Sequence, residues 1–166
     1  MLASHHHQFQ SPASTYSIHA EPPYITPNMS TPEEIQAAKA KYAGRPREEI
    51  AILYDYELAN APGKSIVGLD LRYAPGGWSP PHRHAGAQAV AYVLEGEFLS
   101  GMNGNPPKVY KPGEKFVELP GCHHTVSDNA SMTEPMRAIV VLIVDTVVLK
   151  GEKGYAALTE IDEGWE

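Results

Sequence analysis

The chain has 166 residues, 42% of them apolar, which suits one globular domain with its own hydrophobic core. Its net charge of −7 argues against nucleic-acid binding, because neutralising phosphates requires clustered Lys and Arg. Its one cysteine, Cys122, excludes an internal disulfide, and the absence of a transmembrane-length apolar run or an apolar signal stretch predicts a cytoplasmic protein.

Residues 1–30 are polar, interrupted by prolines and without an apolar period, which predicts a flexible N-terminal arm. His5, His6 and His7 lie in this arm. We interpret them as part of an unstructured start, with a weak metal-binding tract or a tag remnant as the alternatives.

A helix start follows at residues 31–34, Thr-Pro-Glu-Glu. Thr31 can cap the helix, Pro32 suits its first position and Glu34 completes a capping box. Gly44 is a stop signal. We therefore predict a helix over 31–44 that packs on the outside of the main body.

From residue 50 onward, short runs of β-type residues alternate with Gly, Pro and Asn. We predict strands at 50–58, 65–73, 88–94, 98–102, 109–110, 114–119, 125–126 and 137–149. Many short strands at close spacing are typical of a sandwich or barrel. The last run is apolar on both faces over 139–144, which predicts a central strand. Residues 151–166 form an acidic tail, expected mostly at the surface, although Tyr155, Leu158, Ile161 and Trp165 could pack back.

Two histidines, His82 and His84, are separated by one residue in a strand-like context. Side chains two residues apart on a strand point to the same side, so both imidazoles can bind one metal ion. A third ligand has to come from elsewhere, and residues 121–124, Gly-Cys-His-His, are the best source.

These residues resemble the two motifs of the cupin superfamily. The first motif matches Gly76, five residues, His82-Arg83-His84 and a later Gly96. The second matches Gly113, five residues, Leu119-Pro120-Gly121, two residues and His124. Around His124 and at 133–135 the chain is similar to small single-domain cupins from fungi.

The resemblance implies an all-β fold over 50–150, a cupin antiparallel β-barrel or double-stranded β-helix jelly roll, with one N-terminal helix. It also implies that His82, His84 and His124 hold a divalent metal ion inside the barrel. Iron, manganese, nickel, zinc and copper all accept imidazole ligands, so the sequence does not identify the metal.

The family's usual fourth ligand, a glutamate, is absent. Gln88 has the family spacing after His84, whereas Ala89 has the family spacing before Gly96. Either a one-residue bulge turns Gln88 inward, as a ligand or a catalytic contact to substrate, or Ala89 faces inward and no fourth side chain exists.

Three further residues lie near these motifs, and two of them have two interpretations each. Glu118 is a candidate catalytic acid or base, or else an outward-facing strand charge. Trp78 either lines the pocket or is a core aromatic residue. His123 is expected outside the ligand set, because strand alternation points it away from His124.

The expected function is that of a metal-dependent enzyme acting on a small organic oxyanion or a keto-enol or phenolic metabolite. Dioxygenation, decarboxylation and isomerisation all suit an ion held by neutral imidazoles. The alternatives are a non-catalytic cupin that binds a metal or small molecule, and a metal-free assembly subunit. We expect a small-molecule substrate, no nucleic acid or membrane, and a homodimer, because small cupins commonly pair.

Overall fold

The computed structural model describes residues 31–166. Helix α1 (Pro32–Ala40) begins where it was predicted: the Glu34 backbone N–H donates to the Thr31 hydroxyl, and the Thr31 N–H donates to the Glu34 carboxylate at 2.8 Å. Turns then lead to Gly44. The predicted arm with His5, His6 and His7 lies outside the described residues. Within 31–166, no helix is long and apolar enough to cross a membrane.

The described part of the chain contains eleven strands. They are β1 (Glu49–Glu57), β2 (Lys64–Tyr73), β3 (Trp78–Ser79), β4 (His82–Arg83), β5 (Gln88–Glu95), β6 (Phe98–Met102), β7 (Lys108–Tyr110), β8 (Lys115–Glu118), β9 (His124–Asn129), β10 (Met136–Asp145) and β11 (Glu160–Ile161). One sheet has the order β1-β2-β10-β5-β8, and the other has the order β11-β4-β9-β6-β7, with β3 also paired to β9. The antiparallel pairing of these strands confirms the predicted all-β architecture.

Strand β10 is the central strand of its sheet, as predicted, with β2 on one side and β5 on the other. The predicted strand over 137–149 was wrong for its last four residues, which form helix α2 (Thr146–Leu149). The chain turns there because Thr146 is tied back to the strand pair. Its N–H donates to the Gly63 carbonyl, and its hydroxyl lies 2.9 Å from that of Ser65.

The core is formed by the inward-facing residues of the five-stranded sheet together with aromatic residues from the other elements. Strands β2 and β10 contribute branched side chains such as Val67 and Leu142, both fully buried. Strand β5 contributes only Ala89, Ala91 and Val93 to this inner face. Because alanine fills little volume, the wall at β5 leaves room for a cavity.

The C-terminal tail lies mostly at the surface but packs back onto the sheets at a few residues. A 3₁₀ helix (Gly154–Leu158) buries Leu158, and β11 then pairs with β4 so that Ile161 lies opposite His82. The ring of Trp165 packs against Tyr42 and Trp78. The expectation of a tail mostly at the surface is confirmed, since nine of residues 151–166 are exposed, while Leu158, Ile161 and Trp165 pack back and Tyr155 stays exposed.

Candidate metal centre

Three histidines converge inside the protein: His82 in β4, His84 directly after it, and His124 at the start of β9. Their ligand atoms all lie within 4.8 Å of one another. His82 and His124 are backbone partners in the β4–β9 pair, which brings the two sequence motifs together. Both are at least 95% buried.

Backbone carbonyls orient two of the imidazole rings. His82 Nδ1 lies 2.7 Å from the Pro80 carbonyl, and His84 Nδ1 lies 2.6 Å from the Leu158 carbonyl. A carbonyl oxygen only accepts, so each Nδ1 carries the proton and each Nε2 keeps its lone pair. This tautomer leaves Nε2 of each ring available to a metal ion, and a partner on the other ring nitrogen fixes it.

Burial also keeps His82 neutral. Loss of water around the ring lowers its pKa to about 3, and the nearby charges of His124 and His84 act in the same direction. His82 is therefore uncharged at neutral pH, with its lone pair available for a cation.

A carboxylate lies within the histidine cluster. Glu118, the last residue of β8, is 3% exposed, with Oε2 3.2 Å from His84 Nε2 and Oε1 3.3 Å from His124 Nδ1. Burial favours protonation of Glu118, but contacts with His124 and His84 outweigh burial and hold its pKa well below the usual range. Oε2 nevertheless has no aligned hydrogen-bond donor among the described residues. The interpretation of Glu118 as an outward-facing charge was therefore wrong.

The ionisation of His84 reflects the same contact. Burial lowers the pKa of His84, but Glu118 outweighs burial, and the pKa is raised overall. The direction of this shift means that Glu118 favours positive charge on its neighbour.

Gln88 does not join the cluster, which corrects its prediction as a ligand and catalytic residue. Gln88 is exposed, whereas Ala87 and Ala89 on either side of it are 2% and 0% exposed. The pairing of β5 with β10 is regular from Gln88 to Val93, and its single irregularity lies between Val93 and Glu95. The bulge is thus at the far end of the strand, and Ala89 faces inward.

Residues next to the motifs have mainly structural contacts. His123 Nε2 lies 2.8 Å from Asp162 Oδ2, outside the cluster as expected. The ring of Trp78 stacks on Tyr42 with centroids 4.1 Å apart, which fits the core interpretation.

Sequence reasoning missed Ser100, whose hydroxyl lies 2.9 Å from His124 Nε2. The alternation of Phe98, Ser100 and Met102 on one face of the predicted strand was a signal that could have identified it. The carbonyl groups of Pro80 and Leu158 left no such signal, because any residue type supplies a carbonyl.

The cluster borders a cavity of about 40 Å³. Its other walls are mainly apolar, with Leu69, Ala91, Phe98, Phe116 and Val140 among them. A second polar group in the lining is the Tyr73 hydroxyl, which is hydrogen-bonded to Ser79 and Ser127. The volume corresponds to about three water-sized spheres, so the space beside the cluster accepts only a very small molecule.

The residues present fit a divalent cation. Three imidazoles converge, two of them locked with a free lone pair toward the cluster, and a buried carboxylate oxygen lacks a donor. Neutral imidazoles and carboxylates are the ligands that transition metals and zinc accept in proteins.

A family model, the Cupin domain, matches residues 69–142. The chain is 41% identical over 75 residues to germin-like protein subfamily 2 member 2 of Arabidopsis thaliana, covering 41% of this chain and 34% of the plant protein. It is 32% identical over 80 residues to oxalate oxidase 1 of Hordeum vulgare, covering 42% and 40%. The matched part of the chain thus spans well under half of the length of these two relatives. The cupin domain of Schizosaccharomyces pombe Cnp3 aligns with a TM-score of 0.51 at 17% identity, covering 62% of this chain and 65% of that domain, a likeness of fold alone.

Proposed function

We propose that this chain, which belongs to the cupin superfamily, is a metal-dependent enzyme acting on a small organic oxyanion or a keto-enol or phenolic metabolite. The observation that carries the proposal is the buried trio of His82, His84 and His124, with ligand atoms within 4.8 Å of one another. A divalent ion held there supplies Lewis acidity toward a substrate oxygen and, if it is iron, redox chemistry with dioxygen.

The protein's own contribution is to orient the imidazole rings and to exclude water from them. Pro80 and Leu158 hold the rings of His82 and His84 so that no reorganisation is needed when a cation binds. Phe98 and Phe116 lie beside the His124 ring and keep bulk water from it. In this dry setting, a substrate that brings a negative oxygen interacts strongly with the site.

The size of the cavity restricts the substrate. About 40 Å³ holds a few heavy atoms, so a large phenolic compound would require the cavity to open. Small carboxylates and keto acids are therefore the first substrates to test. Oxalate belongs in this set, since the barley relative carries that substrate in its name.

The same small cavity supports one alternative, a non-catalytic cupin that binds a metal or a small anion. Both proteins would bind the small molecule, but only the enzyme would convert it to a product. Dioxygenation, decarboxylation and isomerisation are told apart by what each consumes or releases: dioxygen, carbon dioxide, or neither.

The test is protein prepared without a polyhistidine tag and with residues 1–30 removed, so that His5, His6 and His7 do not contribute metal. Elemental analysis is expected to show about one ion per chain, and a panel of small carboxylates and keto acids under air is expected to include a turned-over compound. A stoichiometric metal without turnover would favour the binding alternative. Protein that takes up no divalent metal would overturn the metal-dependent enzyme and leave only the binding of a small anion.

We also propose a homodimer through the outer face of the five-stranded sheet. Residues Tyr56, Tyr92, Val117 and Ile143, here called the outer patch, lie on this face and are each more than 40% exposed. Around them, Val141 pairs with Val90, and Val90 pairs with Val117, so apolar residues continue across β10, β5 and β8. A contiguous apolar face of this kind is uncommon on a monomer and suits a second copy of the chain.

A further inference from the structure

We infer that Glu118 is the fourth, anionic ligand of the metal site, supplied from β8 to the space that Ala89 leaves on β5. The inference rests on the proposed metal-dependent function and deepens it. It moves Glu118 from a candidate acid or base to a group that holds the ion.

The two residues are direct partners across an antiparallel strand pair. Ala89 lies opposite Glu118 in the β5–β8 register, and both face the interior, at 0% and 3% exposed. Directly opposite residues have β-carbons about 4.5–5.5 Å apart on the same face of the sheet. A carboxylate from either residue therefore reaches the same region, and the methyl group of Ala89 leaves that region to the longer side chain.

The contact between Glu118 and His84 calls for a cation. His84 Nδ1 donates to the Leu158 carbonyl, so the nitrogen that faces Glu118 Oε2 at 3.2 Å is Nε2, the one with the lone pair. Two acceptors that close repel each other unless a positive charge lies between or beside them. A proton on Nε2 relieves this conflict in the metal-free site, and a divalent ion bound to both atoms relieves it without that proton.

Burial leaves few other ways to satisfy the carboxylate. Oε2 accepts no aligned hydrogen bond among residues 31–166, and a buried carboxylate is disfavoured unless nearby positive charge compensates it. In the described part of the chain, the ion-pair partners of Glu118 are His84 and His124, both members of the histidine cluster. The carboxylate therefore lies against two of the three imidazoles that converge.

The assignment changes the charge of the site. Three neutral histidines alone leave a divalent ion with two positive charges, whereas one carboxylate reduces the sum to one. Substrates with a single negative oxygen then neutralise the site, which favours monoanions over dianions in the small cavity.

The test compares four variants with the wild type, using Co²⁺ alone as the probe. Glu118→Gln removes the charge, and Ala89→Glu with Glu118→Ala moves the carboxylate back to β5 at similar total volume. His84→Ala removes an established member of the cluster. Gln88→Glu is the matched control, because it adds the same charge on β5 but on the exposed side.

The readouts are the Co²⁺ dissociation constant, measured by competition with a chelator, and the visible d–d spectrum, which reports the ligand set. Glu118→Gln is expected to weaken Co²⁺ binding at least about tenfold and to change the spectrum. The relocated carboxylate is expected to recover most of the affinity, and Gln88→Glu is expected to match the wild type. Circular dichroism and thermal unfolding of the metal-free proteins check that each variant is folded.

The inference is overturned if Glu118→Gln binds Co²⁺ within twofold of the wild type while His84→Ala loses most of its affinity. The proposed function would still stand in that case. The same holds if the affinity falls but the spectrum is unchanged, because Glu118 would then only position the rings. If the wild type itself binds no Co²⁺, the proposed function fails together with the inference. If Glu118→Gln does not fold, the variant that carries Ala89→Glu with Glu118→Ala decides. A recovered Co²⁺ affinity then supports the inference, and an affinity as low as that of His84→Ala overturns it.

Discussion

His82 and His124 lie directly opposite each other in the antiparallel β4–β9 pair, so backbone pairing alone brings the two sequence motifs to one point. We predict that His82→Ala, His84→Ala and His124→Ala each lower metal affinity by at least about a hundredfold, more than is typical for a residue behind the ligands. Elemental analysis and chelator competition measure the effect. His123→Ala is the control, since His123 bonds Asp162 outside the cluster and should keep the ion. Loss of metal in His123→Ala equal to that in His84→Ala would contradict this assignment.

The C-terminal tail should control metal affinity from a distance. Removing residues 154–166 eliminates the Leu158 carbonyl that fixes His84 and the β11 strand that pairs with β4. We predict an affinity loss of about tenfold to a hundredfold together with a lower melting temperature. Removing only 163–166 deletes the Trp165 ring contacts but keeps both features, so it should lower the melting temperature and spare the affinity. Equal affinities in the two truncated proteins would refute the role of the tail.

Gly96 should be intolerant of any side chain. Its φ is +70°, and a β-carbon there would overlap the Pro135 carbonyl. Gly86 has a similar φ of +75° with no atom near its β-carbon position, so it is a matched control. Gly86→Ala should cost about 1–2 kcal/mol from the left-handed backbone alone. Gly96→Ala should cost about 1–3 kcal/mol more from the overlap, measured by denaturant unfolding. Equal losses at the two positions would show that the overlap relaxes freely.

Acid stability should depend on Asp70, which lies between Arg137 and Arg72. Their hydrogen bonds lower its pKa from 3.8 to about 2. Because the folded-state pKa is depressed, the stabilisation is fully present above about pH 4 and is lost as the pH falls through about 2. The free energy of unfolding of Asp70→Asn should therefore lie below that of the wild type near neutral pH and approach it between pH 4 and 2. A difference that does not change with pH over this interval would rule out the ion pairs as its source.

The proposed dimer predicts a change in mass when the outer patch is charged. Val117→Lys with Ile143→Lys places two ammonium groups on the exposed face, and both native side chains are more than 40% exposed, so the fold should tolerate them. Sedimentation velocity should show a dimer for the wild type and a monomer for the variant. Glu163→Lys, far along the chain in the exposed tail, is the control for added charge. A wild type that remains monomeric at high micromolar concentration would contradict the dimer.

Much of the architecture follows from local patterns in the sequence. The capping box of Thr31 and Glu34 defines the start of α1. The long apolar run at 139–144 marks the central strand of its sheet, although only its inner face is buried and Ile143 on the outer face is exposed. The spacing of His82, His84 and His124 selected the three residues that converge. Each of these patterns lies within a few positions of the chain, which is why the sequence carries it, whereas the meeting of His124 with His82 depends on the β4–β9 pairing.

The tertiary fold was needed to choose between Gln88 and Ala89 and to turn Glu118 inward. Side chains alternate along a strand with a period of two, so the position of the bulge in β5 decides whether Gln88 or Ala89 faces inward. That position depends on the pairing of β5 with β10. The partnership of Ala89 with Glu118, and the Leu158 carbonyl that holds His84, join segments distant in the chain. Such contacts leave no periodic trace in the sequence, because they arise from the packing of sheets and tail around a shared interior.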